Sequence, residues 1–127
     1  MTFSQVGAQY PRVASELGRL SGDELEAAVR RVVDTAVRAT GLQVSPERKE
    51  LERLVWALDD EAWALQEKAQ EGDVPVVAQQ RAFIRARAAS AALELQEGRY
   101  GPAVYEAIQA LSGNEAVVLG LLSGDQS

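Results

Sequence analysis

The sequence predicts an all-α protein. It should be a single-domain bundle of about five to six helices, with an alanine-rich central helix at about 74–97. Three observations predict it. Apolar residues recur at spacings of three and four along most of the chain. Glycines, prolines and capping residues cut that pattern into helix-length pieces. No segment alternates apolar and polar residues as a half-buried strand would; "PVV" and "AVVLGLL" are apolar enough for strands, but their flanks favour helix. A chain of 127 residues fits one domain spanning 1–127. The connections are short, as in bundles, the tail from about residue 123 should fray, and no low-complexity tract or internal repeat at a fixed period is read.

The first segment places Phe3, Val6, Tyr10, Val13, Leu17 and Leu20 on one helical face. Thr2 and Gln5 have capping-box spacing. Pro11 interrupts, because proline removes a helical hydrogen bond and clashes with the preceding turn. A short turn at 3–9 and a firmer helix from Pro11 to about Gly18 follow. Next, "SGDE" puts Ser21 at an N-cap with Glu24 three residues on. The stripe Leu25, Ala28, Val29, Val32, Val33, Ala36, Val37 then runs to a C-terminal stop at Gly41. The third long segment opens at "SPER", with Ser45 capping and Pro46 at the first helical position. It carries Leu51, Leu54, Val55, Leu58, Ala62, Leu65 and Ala69 inward and stops at Gly72.

The fourth starts after Asp73, tolerates Pro75 in its first turn and ends at Gly98. Its alanines, Ala78, Ala82, Ala86, Ala88, Ala89, Ala91 and Ala92, occur round almost the whole circumference, which marks a central helix. Val77, Phe83, Ile84, Leu93 and Leu95 are its expected larger core contacts. A helix from Pro102 to Leu111 and an Asn114-capped helix from Glu115 to about Leu122 complete the bundle.

Composition removes whole classes of chemistry. The chain has no cysteine, hence no disulfide, thiolate nucleophile or thiolate metal site. It has no histidine, hence no imidazole general base and no Ser-His-Asp or Cys-His arrangement. The net charge of −6 and only two lysines, Lys49 and Lys68, argue against a nucleic-acid surface. No apolar run is long enough to span a membrane, and the N-terminus has no secretory signal pattern. A cytoplasmic location is expected.

The carboxylates are the remaining candidates for chemistry. Asp59, Asp60 and Glu61 resemble a metal cluster only in a linear reading, since successive helical residues point about 100° apart. Glu47/Glu50 and Glu94/Glu97 have E-x-x-E spacing, but no E-x-x-D follows, and a histidine-bearing di-metal bundle is impossible here. No metal or cofactor is assigned. Arg81 and Arg85 form a minor candidate anion or partner patch, although an internal pairing of Arg85 with Glu61 is the favoured reading. Arg87 lies towards Phe83 and Ala91, where Glu94 could answer it. "GRYGP" lacks the spacing of a phosphate loop.

Trp56 and Trp63 lie about 120–140° round their helix from the Leu51–Leu58–Leu65 stripe and share a second face with Asp60 and Glu67. A domain of this size exposes few tryptophans, which favours internal covering by a segment such as the N-terminal helix. If uncovered, Trp56, Asp60, Trp63 and Glu67 form the candidate partner surface. The function expected is that of a non-enzymatic, acidic protein-binding module: a regulator, an adaptor or a toxin-neutralising, immunity-type protein. Its partner would be a protein, basic or a second copy. The alternatives are a carboxylate–magnesium phosphohydrolase and a self-assembling structural subunit.

Overall fold

The computed structural model describes residues 4–123. Seven helices follow one another among these residues: α1 (Ser4–Gln9), α2 (Pro11–Gly18), α3 (Gly22–Thr40), α4 (Arg48–Gln70), α5 (Val76–Gln96), α6 (Tyr100–Ala110) and α7 (Glu115–Ser123). The protein is all-helical, with the N-terminal turn counting as a helix of its own. The proposed cap at Thr2, the Phe3 contact and the frayed tail lie outside the described residues. Among the described residues no helix is long and apolar enough to cross a membrane.

Local sequence sets most boundaries. Tyr10 leaves helical geometry between α1 and α2, and Pro11 occupies the start of α2, where its missing N–H costs nothing. Gly41 ends α3 in the left-handed conformation, with φ 74°, and donates its N–H to the Arg38 carbonyl. Asn114 caps α7, its Oδ1 accepting from the Val117 N–H at 3.3 Å.

Two expected caps differ. Ser21 precedes α3 in extended geometry but makes no side-chain capping bond. The Ser45 hydroxyl takes the Glu47 N–H at 3.0 Å, so a local turn holds residues 45–47 and α4 begins at Arg48, not at Pro46. The other starts shift too: α5 begins at Val76 with Pro75 as its cap residue, and α6 begins at Tyr100.

The central helix is α5. It packs on α3, α4 and α6, and α3 also meets α6 and α7. Every residue of the α3 stripe from Leu25 to Val37 is buried. The alanines Ala82, Ala86, Ala88, Ala89, Ala91 and Ala92 are buried as well, and small side chains let the neighbouring helices approach closely. That close approach corrects part of the expected core. Leu95 is buried, and Ile84 and Leu93 pack on the core from its edge. Val77 and Phe83 are exposed, Phe83 at 43%. Helices drawn in to alanine distance leave no room for the ring, which lies out over the Arg87 guanidinium with 5.7 Å between ring centre and Cζ.

Helices α1 and α2 settle on α6 and α7. Val6, Val13 and Leu17 are fully buried there. Tyr10 stacks at a tilt against Tyr105, with ring centres 6.5 Å apart. Helix α4 is therefore an edge helix whose main neighbour is α5. Leu51, Val55 and Leu58 anchor its N-terminal half, while Leu65 and Ala69, nearer the Gly72 turn, are only partly covered.

Candidate functional site

The acidic stretch between the tryptophans points in three directions, as helical geometry requires. Asp59 turns towards the bundle and takes a 2.6 Å bond from Arg87 Nη2. Arg87 Nη1 binds Glu106 Oε2 at 2.8 Å. One guanidinium thus ties α4, α5 and α6 together. Its partners are not Glu94, which instead binds Arg99. The expected Arg87–Glu94 pair is replaced because Glu94, two turns along α5, answers the cation just beyond the helix end. Burial pushes the Glu106 carboxyl above the ordinary glutamate range; the Arg87 charge pulls it back only in part. Arg87 Nε is buried without a partner. The cluster is a structural clamp in which one cation is shared by two carboxylates.

Asp60 and Glu61 are exposed. Glu94 and Glu97 both engage Arg99, and Glu97 also engages Arg48. Among the described residues, no three acidic side chains gather where one cation would touch them all. Arg81 and Arg85 form no ion pair within the described residues, so the expected Glu61–Arg85 pairing is absent. They line a shallow groove with Ala39 and Thr40, at the C-terminal turn of α3. The C-terminal end of a helix is favourable to nearby cations. A second open groove, of about 670 Å³, carries Tyr10, Gln66, Gln79, Gln80, Phe83 and Gln109. Its lining holds no ionisable nucleophile or acid–base pair beyond the Tyr10 hydroxyl, which accepts from the Gln109 amide at 3.3 Å.

The tryptophans are the marked feature. Trp56 is 63% exposed and Trp63 64%. Internal covering, favoured from the sequence, does not occur: α1 and α2 are occupied with α6 and α7, on another side of the bundle. Seven residues of α4 separate the indoles by about 10 Å along the axis. Lys49, Arg53, Asp60, Glu67 and Gln70 lie on the same strip, in alternating steps of four and three, and all are exposed. None of those four charged side chains forms an ion pair with the described residues of its own chain. Ala57 and Ala64, also exposed, flank the indoles.

The sequence signal for this larger face is a heptad repeat. Trp56-Ala57-Leu58-x-x-x-Ala62 is followed directly by Trp63-Ala64-Leu65-x-x-x-Ala69. This corrects the reading that no fixed-period repeat exists. Leu58 and Ala62 of the first heptad pack on the core, Leu65 and Ala69 of the second are partly covered, and both tryptophans are exposed. Compared with protein-family models, curated proteins and solved structures, the chain matches none significantly.

Proposed function

We propose that this chain is a non-enzymatic protein-docking module, of the regulator, adaptor or toxin-neutralising kind, and that the outer face of α4 is its contact surface. One observation carries the reading. Two tryptophans stand more than half exposed on one edge-helix face, flanked by Asp60 and Glu67. Large exposed rings cost solubility, while tryptophan is enriched among the residues that dominate binding energy at protein interfaces. The rigid helix presents them without an ordering cost on binding. The carboxylate–magnesium alternative lacks a comparable observation.

A photo-crosslinking amino acid placed at Ala57 or Ala64 tests the proposal in cells that make the protein. Protein adducts should form there and not at Ala27, an exposed alanine of α3. Equal yields at all three positions would refute a contact surface on α4.

A further inference from the structure

We infer that the occupant of this face is a second copy of the chain, with the two α4 helices packed antiparallel; the inference rests on the docking reading above and names its partner. The face is self-complementary along its length. Its N-terminal half carries Lys49 and Arg53 and its C-terminal half Asp60 and Glu67, all exposed and all free of ion pairs with the described residues. A parallel partner would set Arg53 on Arg53, Asp60 on Asp60 and Glu67 on Glu67. Antiparallel packing sets the basic half of each helix on the acidic half of the other.

Steps of four and three keep these residues on one side of the helix, and antiparallel pairing of two such strips sets the two alternating positions against one another. With a two-fold axis at the height of Leu58, Lys49 meets the partner's Glu67. Arg53 meets the face of the partner's Trp63, a cation–π arrangement. The Trp56 indole N–H meets the partner's Asp60, an acceptor for a donor that lacks one in the single chain. Each layer occurs twice by symmetry, as an isologous interface requires. Ala57 and Ala64 keep one flank of the seam low, so the helix backbones can approach. Asp59, on the other flank, already has its charge answered by Arg87.

The indoles supply up to about half of the area that such a pair needs. A tryptophan side chain contributes at most about 250 Å², so four indoles at 63–64% exposure supply at most about 640 Å². The rest of the roughly 1,200 Å² that a specific pair buries must come from the exposed Lys49, Arg53, Ala57, Asp60, Ala64 and Glu67 side chains along this helix. The four charges that lack partners in one chain, and the two bare indoles, all find partners in this single arrangement.

Sedimentation equilibrium on the intact protein tests it. The wild type should be a concentration-dependent dimer. Trp56→Ala or Trp63→Ala should weaken association by roughly thirtyfold or more. Two charge-reversed variants test the charge pairing across the seam: Lys49→Glu/Arg53→Glu, and Asp60→Lys/Glu67→Lys. All four positions are exposed, and circular dichroism checks that both variants fold. Each alone should be monomeric, because like charges then meet across the seam. Mixed, they should form a one-to-one heterodimer, and the swap Lys49→Glu/Glu67→Lys within one chain should still dimerise alone, as only antiparallel pairing of positions 49 and 67 allows. A wild type that stays monomeric, or variants that dimerise alone as well as when mixed, would overturn the inference. If the wild type is monomeric while crosslinks at Ala57 and Ala64 capture a different protein, the second copy falls and the docking reading stands. If no position-specific crosslink forms either, both fall.

Discussion

Replacing Arg87 with methionine removes the one cation that faces both Asp59 and Glu106. Methionine keeps much of the stem volume, so the change isolates charge from packing. Two carboxylates are left across α4, α5 and α6 with no counter-charge, one of them on a side chain only 20% exposed. Breaking a buried ion pair from one side costs about 3–5 kcal/mol. The Asp59 side chain is 43% exposed, and solvent screening recovers part of that cost. A loss of about 2–3 kcal/mol is therefore expected, which lowers the urea midpoint by about 1–2 M. Adding Asp59→Asn and Glu106→Gln removes the orphaned charges and should restore most of the stability, since removing a whole charge cluster is far milder than breaking it.

The deficit also depends on pH, with a definite sign. Glu106 already titrates above the ordinary glutamate range, and losing Arg87 raises it further. A carboxyl with a raised folded-state pKa favours the folded state below its unfolded pKa, and that benefit is lost as pH rises through the folded value. The deficit of Arg87→Met should thus be largest at neutral pH and shrink as acid protonates Glu106. Urea unfolding at several pH values, followed by circular dichroism, checks each point. A loss under about 0.5 kcal/mol at pH 7, the scatter of ordinary surface changes, would refute the clamp.

Other positions give independent outcomes. Trp56→Ala/Trp63→Ala should leave the stability of the monomer within about 0.5 kcal/mol of wild type, although it removes the two largest side chains of the chain; urea unfolding at high dilution measures this. Gly98→Ala forces an alanine into a left-handed turn at φ 75° after α5 and should cost about 1 kcal/mol, seen as a lower melting temperature. Asn114→Ala removes the cap on the Val117 N–H and should cost about 1 kcal/mol by the same assay. Glu106→Gln removes the buried carboxylate, so wild type should gain stability relative to the variant as pH falls through the raised Glu106 pKa. The gain should level off below the ordinary glutamate value.

Periodicity carried the fold where a helix has one continuous apolar stripe. The seven residues of the α3 stripe are buried as their spacing requires, and Gly41 and Asn114 act as caps because capping chemistry is local. Positions decided by tertiary partners were not legible. Phe83 sits at the rim because alanine contacts draw the helices together, a packing consequence with no local signature. Arg87 finds acids 28 and 19 residues away in sequence, whereas the nearer Glu94 is claimed by Arg99. The tryptophan face was legible as a face. Whether anything covers it depends on where α1 and α2 dock, which their own amphipathic pattern does not specify. Its central part, from Trp56 to Glu67, was legible in the heptad repeat.

Trp56 and Trp63 are the only tryptophans in the chain, so intrinsic fluorescence reports this face alone. The most direct measurement is acrylamide quenching across protein concentration. Strong quenching in dilute solution, giving way to protection as the protein is concentrated, is the result predicted for indoles that the fold leaves bare and a second copy covers. Quenching that stays equally strong at every concentration would contradict it.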